Sequence, residues 1–337
     1  MMSKKKNSGN SSLDVVGIGN AIVDIIVQTD DKFLTKNGLT KGSMVLMSEE
    51  QAQEVYDSCG SGIETSGGSA ANTLAGIAQL GGKAGFIGRV KSDQLGTIFA
   101  HDIRSVGAQF DTPPIQQGPS TARCVILVTP DAQRTMCTYL GASVQLEPND
   151  LDLTMVKDAK ILYLEGYLWD SPAAKKAFVS AAKACLASKG KVSLSLSDSF
   201  CVNRHRKSFQ ELVDGYIDIL FANESEITAL YETSNVEDAI KKIQGRCEIA
   251  ALTFGKKGSA IVTPTDIHPV PAINLGEVVD TTGAGDLYAS GFLYGLTQNE
   301  TLLNCAKIAS ICAGQIVTQF GPRSRTSLSD LIKMYLK

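Results

Sequence analysis

Histidine is scarce: His101, His205 and His268 are the only three in 337 residues, and they are far apart. They offer no metal cluster, and the zinc-hydrolase pattern H-E-x-x-H is absent. No C-x-x-C pair occurs among the eight cysteines at 59, 124, 137, 185, 201, 247, 305 and 312. Several lie inside apolar segments, so they read as reduced core thiols of a cytoplasmic protein, not as a disulfide framework or zinc site. Apolar runs are short; 161–164 is typical and far from the length that crosses a bilayer. Positive charge is not in excess. The 32 bases face 35 acids, a net charge of −3, which gives no broad field for nucleic acid. G-x-x-x-x-G-K-[ST] is missing, which excludes a P-loop kinase. G-x-S-x-G is missing too, which weakens a hydrolase reading. Gly17-x-Gly19-x-x-Ile22 opens like a dinucleotide fingerprint and then fails. Ile22 stands where a third glycine is needed, a polar segment follows, and no acid lies about twenty residues on.

What is present is a soluble globular composition, 43% hydrophobic and 20% charged. The polar start, Met1–Ser12, reads as a loose tail rather than a signal peptide, and 13–337 reads as one main domain. Strands are expected at Leu13–Ile18, Ile22–Val27 and Ala84–Ile87. Helices are expected from the Ser48-Glu49-Glu50-Gln51 capping box, over Ser69–Leu80 and over Leu95–Val106. Arg123–Thr129 and Arg134–Leu140 flank Pro130-Asp131 and read as a hairpin. After residue 145, strands near Ile161–Leu164, Val192–Leu196, Ile217–Phe221 and Ile249–Phe254 alternate with helices near Pro172–Ser188, Arg204–Asp214, Glu224–Tyr231 and Val236–Gln244. That rhythm predicts a doubly wound, mostly parallel sheet with helices on both faces. A short β pair near Ser259–Thr263 and helices near Gly285–Leu296, Leu302–Thr318 and Leu328–Leu336 complete the chain. Insertions at about 20–47 and 108–142 are expected to form a small β lid.

The chemistry concentrates in Asp280-Thr281-Thr282-Gly283-Ala284-Gly285-Asp286. Small residues at a helix start let several N–H groups point at one anion, with the helix dipole assisting. Asp286 in the first turn is either a cap or a general base beside that anion. Gly67-Gly68-Ser69-Ala70-Ala71-Asn72 is either a turn before a packed helix or a place where substrate approaches bare backbone, with Asn72 bonding a hydroxyl. Asp24 is either a surface acid on an alternating strand or an acceptor for two vicinal hydroxyls. Asn223-Glu224-Ser225-Glu226 reads equally as a helix cap.

Together these strings resemble the ribokinase-like (PfkB-type) carbohydrate and nucleoside kinases, from Leu13 to about Leu331. The resemblance implies a ribokinase-like fold and ATP-dependent transfer of a phosphoryl group to an alcohol. It makes Asp286 the catalytic base and Gly283, Ala284 and Gly285 the anion hole. Asp24, Gly67, Gly68 and Asn72 become ligands of the acceptor. N-x-x-E, here Asn223 and Glu226, would organise Mg²⁺ and phosphate, with Glu226 acting through water. Thr253-Phe254-Gly255-Lys256-Lys257-Gly258 resembles the strand-turn beside the nucleotide, so Thr253, Gly255 and Gly258 are nucleotide-side candidates; a plain hairpin is the competing reading. Asp280 and Thr282 lie where several members hold a monovalent cation such as K⁺. Arg134 is the candidate lid arginine over the phosphates, with Arg123 behind it.

Gly19-Asn20-Ala21-Ile22-Val23-Asp24 and Tyr163-Leu164-Glu165-Gly166-Tyr167-Leu168 resemble the adenosine-phosphorylating members more than the ribokinases. That implies a nucleoside accepting at its 5′-hydroxyl, adenosine to AMP, with Tyr167 and Leu168 against the base. Glu165 keeps a sugar kinase open, because sugar kinases of the family often carry an acid near this point. A non-catalytic ligand-binding regulator is the remaining alternative. The expected partners are small molecules only, without nucleic acid or membrane, and the expected state is monomer or homodimer.

Overall fold

β1 (Leu13–Ile18) is buried at every position, which is why it reads as an unbroken apolar run: it sits mid-sheet, covered on both faces. The computed structural model describes residues 13–131 and 133–336, so the tail expected at 1–12 lies outside the described residues. After β1 come β2 (Ile22–Gln28), α1 (Asp31–Lys36), β3 (Met44–Leu46), α2 (Glu49–Ser58), β4 (Ile63–Gly67), α3 (Ser69–Gln79), β5 (Ala84–Ile87), α4 (Gln94–Ser105), β6 (Ala108–Gln109), β7 (Ala122–Val128) and β8 (Arg134–Tyr139). The second half carries α5 (Leu153–Asp158), β9 (Ala159–Glu165), α6 (Pro172–Ala187), β10 (Lys191–Ser195), α7 (Ser199–Tyr216), β11 (Ile219–Asn223), α8 (Glu224–Tyr231), α9 (Val236–Ile243) and β12 (Ile249–Thr253). β13 (Ser259–Val262), β14 (Ile267–Val270), α10 (Ala284–Thr297), α11 (Leu302–Ile316) and α12 (Leu328–Tyr335) end the chain.

Nine strands form the main sheet in the order β14-β13-β12-β11-β10-β9-β1-β5-β6. All neighbours from β12 to β6 run parallel, and the β12-β13-β14 edge is antiparallel. The chain leaves β1 toward β5 and later returns on its other side as β9, so the order reverses there. In doubly wound sheets such a reversal opens a crevice at the carboxyl ends of the strands. Helices α3, α10 and α11 cover one face and α6, α7 and α8 the other, each over its own apolar cluster.

A second sheet, in the order β3-β8-β7-β2-β4, stands over that crevice. Its expected sources were 20–47 and 108–142. β4 also belongs to it, while β6 joins the edge of the main sheet. Ile63-Glu-Thr-Ser-Gly has little apolar alternation, and its end merges with a glycine pair that reads as a turn, so β4 gave no strand signal. β3, of three residues, and α1, of six, went unread because they are short. α7 begins five residues before the expected Arg204, at Ser199. Asp198 caps it by accepting from Phe200 N (2.7 Å), and it bends at His205, where the backbone leaves helical values. All eight cysteines are free thiols. Among the described residues, no helix is long and apolar enough to cross a membrane.

Candidate active site

The crevice is a cavity of about 850 Å³ between the two sheets. Strand ends supply much of its floor: Glu165 from β9, Ser195 from β10, Asn223 from β11 and Thr253 from β12, with Asn20 just past β1. The lid contributes Ile22, Asp24, Met44, Leu46, Cys124 and Met136, and the start of α10 contributes Gly283 to Asp286.

α10 begins without a side-chain cap. Gly283 occupies its N-cap in the left-handed region (φ +79°), where glycine alone carries no penalty, and a Cβ there would lie 2.8 Å from Pro322 Cβ. Nothing stands within 4 Å of where a Gly285 Cβ would be. Ala284 N donates to Thr281 O (3.2 Å), and the N–H groups of Gly285 and Asp286 that follow have no competing acceptor from a cap side chain.

Asp286, in that first turn, is held from two sides. Ser69 Oγ donates to Oδ1 (2.6 Å), and Asn72 Nδ2 donates to Oδ2 (3.0 Å). Both donors come from α3, which lies tightly on α10. A Cβ on Gly76 would collide with Ser290, whose Oγ bridges the helices by donating to Thr73 O (2.7 Å). Burial raises the Asp286 carboxyl above its ordinary value, and the Ser69 and Asn72 bonds and the Arg323 charge oppose that. Asn72 Oδ1 is buried with no partner, an acceptor open to a hydroxyl.

Asp24 is nearly buried on β2, and burial pushes its carboxyl up to about 7. Arg323 and Arg134 pull it down and Asp286 pushes it up; no hydrogen bond offsets the burial. A Cβ on Gly67 would collide with the Asp24 carboxylate, and one on Gly68 (φ +97°) with Asn20 O. The glycine pair is thus what lets β4 lie against β2 beside this acid. Asp24, Gly68, Asn223, Glu226, Thr253, Gly283, Ala284, Gly285 and Asp286 all line the one cavity, and Gly67 and Asn72 hold its walls.

The remaining expected residues divide between the cavity and the scaffold around it. Tyr167 is 42% exposed and faces the cavity, but Leu168 is wholly buried in the main core and leaves the ligand-facing set. The short 3-10 turn Gly166–Asp170 points successive side chains in different directions, which a run of apolar letters does not reveal. Trp169 packs between Phe178 and Phe209. Gly255 and Gly258 form the β12–β13 turn outside the cavity lining. Both have positive φ, and a Gly258 Cβ would collide with Val270 O, so the hairpin accounts for both glycines. Arg134 ion-pairs with Asp280 Oδ2 (2.8 Å) and lies 5.5 Å over the Phe320 ring, away from the cavity lining. Arg123 is a lid strut, donating to Gln53 and to Glu49 O. Asp280 also accepts from Thr282 N, Thr282 Oγ1 and Gly321 N, so its carboxylate is saturated. A monovalent cation there would rest on backbone carbonyls alone.

Asn223 and Glu226 form a complete capping box. Asn223 Oδ1 accepts from Glu226 N, and Glu226 accepts from Asn223 N (2.9 Å) and Nδ2 (2.7 Å). The cap reading holds, and the same pair lines the cavity. Burial pushes Glu226 up to about 7, with Asp198 and then Asp286 adding to it. Glu165 is a scaffold residue: it accepts from Asn20 Nδ2 (2.7 Å) and from Ala70 N (2.8 Å) at the start of α3. Its carboxylate is spent on positioning the Asn20 loop and the helix that carries Ser69.

Sequence reading missed Ser69, Asp198, Phe200 and Arg323. Ser69 lay inside the quoted glycine string and, as the first residue of α3, faces the next helix across the site. Arg323 gave no local signal.

A buried carboxylate beside a bare helix N-terminus, with a second acid across the cavity, is the arrangement that suits a phosphotransferase with an alcohol group as acceptor. The family model of pfkB carbohydrate kinases matches residues 32–328, and the chain belongs to that family. A crystal structure of a probable sugar kinase from Rhizobium etli CFN 42 superposes with a TM-score of 0.88 at 48% identity, covering 96% of this chain and 98% of that one. An adenosine kinase from Sinorhizobium meliloti gives 0.88 at 46% identity, covering 96% and 99%. Adenosine kinase of Saccharomyces cerevisiae is 25% identical over 331 residues, 91% of this chain and 96% of its own. Membership implies ATP as the phosphoryl donor.

Proposed function

We propose that this kinase phosphorylates the 5′-hydroxyl of adenosine with ATP, yielding AMP and ADP. The observation that carries the chemistry is Asp286, fixed by Ser69 and Asn72 at the bare N-terminus of α10. Asp286 accepts the hydroxyl proton as the oxygen attacks the γ-phosphorus in line and the bond to ADP breaks, and the N–H groups of Gly285 and Asp286 receive the charge that develops on the phosphoryl oxygens. Asp24 and the open Oδ1 of Asn72 suit the ribose hydroxyls, a carboxylate being able to accept two at once.

What favours a nucleoside over a free sugar is the rest of the cavity wall. Ile22, Met44, Leu46, Met136, Tyr167 and Phe200 line it, and Met44, Leu46, Tyr167 and Phe200 are exposed. A flat purine covers such a wall, whereas a sugar ring bearing a hydroxyl at nearly every carbon would leave it wet. The likeness to an adenosine kinase of known structure supports the same choice. The second reading, a sugar kinase, rests on the equally similar probable sugar kinase.

The acids at the donor end fit Mg²⁺. Glu226 lines the cavity with its carboxyl pushed up by burial, Asp198 and then Asp286 adding to that, and Asp198 lies in the same lining, so two hard oxygen donors face the space. Glu226, already engaged by Asn223, would hold the ion through water, and a bound ion would supply positive charge for the phosphate oxygens.

ADP release from MgATP across adenosine, guanosine, inosine, cytidine, ribose, fructose and fructose phosphates tests the reading. Selective turnover of adenosine is expected. Turnover of a free sugar alone would keep the base and overturn the acceptor. The Ser69 bond should be visible separately: Ser69→Ala is expected to lower kcat about tenfold, the worth of one charge-assisted hydrogen bond, with little change in Tm. An unaltered kcat would remove Ser69 from the site.

A further inference from the structure

Arg323 carries a buried charge that its hydrogen bonds do not answer. Its Nη2 donates to Ser66 O (2.8 Å) and Ser66 Oγ (2.9 Å), both neutral, while Nε and Nη1 are sealed from solvent with no partner. A guanidinium taken out of water needs anions close by. The carbonyl it holds is that of the Ser66–Gly67 peptide, and Gly67 is where the Asp24 carboxylate lies so close that a Cβ would collide with it. Ser66 in turn donates through N (2.8 Å) and Oγ (2.5 Å) to Asp102 of α4. On the other side, Pro322 packs on Gly283, Gly321 N donates to Asp280, and Ser324 O accepts from Gln79 of α3. The loop 321–324 therefore joins lid strand β4, the anion loop and α3.

We infer that Arg323 is a positioning residue: the resident counter-charge of Asp24 and Asp286 and the pin that fixes β4 to the C-terminal loop. This inference rests on the proposed roles of those two acids. The charged groups facing the junction are Asp24 on β2, Asp102 on α4, Asp286 on α10 and, beyond them, Arg134 on β8. Arg323 lowers both site carboxyls against burial, and Asp102, Asp24 and Asp286 act on it in return.

The test is the pH profile of kcat/KM. Loss of the charge lets both carboxyls rise, so the acid limb of Arg323→Gln should move to higher pH by about one unit. At pH 6 that is a further loss of about tenfold. Arg323→Lys, which keeps the charge, should hold the limb near that of the parent. Arg323→Met serves as the neutral variant if Arg323→Gln does not fold. Superimposable limbs for parent and neutral variant, or an equal shift with lysine, overturn the inference. Asp286→Asn, assayed alongside, separates the two claims. If it keeps turnover, the base assignment fails. If it is inactive while the neutral variant's limb is unmoved, only the role of Arg323 fails.

Discussion

Asp286→Asn should lower kcat by roughly 10³-fold, in the range a positioned general base contributes, while the folded protein survives intact. The amide keeps the shape of the carboxyl and can still accept from Ser69 Oγ, which now donates to Oδ1. It cannot accept a proton from an attacking hydroxyl. Burial already disfavours the charged carboxylate in the folded state, so a neutral side chain costs no stability on that account. The measurement is ADP release at saturating adenosine and MgATP, beside a thermal melt. Wild-type turnover from Asp286→Asn would place the base elsewhere. A collapse of Tm with activity would mark Asp286 as structural instead. The N-terminus of α10 is left in place, so ATP binding should change far less than kcat.

Asp24→Asn should act in two opposite directions. KM for the nucleoside should rise by roughly 10²-fold, the worth of two hydrogen bonds to a charged acceptor. Stability above pH 7 should increase. The sign follows from linkage. The folded carboxyl titrates at about 7 and the unfolded one near 3.8, so the folded state binds the proton more tightly. The parent is penalised progressively as pH rises between those values, and carries the full penalty above 7. Asparagine carries none. The variant's advantage should therefore be absent near pH 4 and reach roughly 2–4 kcal/mol by pH 8. Melting both proteins across that range checks it. A variant that is less stable at pH 8 would show that the charged form of Asp24 is favoured in the fold. The same titration predicts that the parent's KM for nucleoside climbs as pH falls below about 7.

Much of the main sheet could be read from the letters because its strands are short, buried runs with helices between them. Val192, Leu194, Ile219, Leu220, Ala250 and Leu252 are buried; β11 and β12 run apolar almost to their ends, and β10 interleaves Ser193 and Ser195 with its apolar residues. The lid was harder. Its strands are brought together from separate stretches of chain, and β4 contributes Ile63-Glu-Thr-Ser-Gly, which pairs with β2 but shows little apolar alternation. The cavity acids were legible wherever chemistry compresses into a string, as in Gly283 to Asp286. Leu168 shows the limit. It sits one residue from Tyr167 and is 0% exposed, because a 3-10 turn parts the two side chains. Arg323 shows another. Its importance comes from Ser66, Asp24 and Asp286, all distant in the chain, and no local pattern in Gly-Pro-Arg-Ser records them.

The lid's wiring also bears on the order in which the molecule assembles. β2 pairs in parallel with β7, Ile22 against Ala122, across the whole span that contains β5, α4 and β6. Parallel pairs this far apart cannot form until the intervening chain has been drawn in, and closing that loop is paid in entropy before any contact repays it. α3 and α10 likewise meet from opposite ends of the chain, joining Ser69 to Asp286. β1 pairs with β9 across a longer span still, Leu13 against Ala159, so the cavity is complete only when both sheets have drawn distant stretches of chain together.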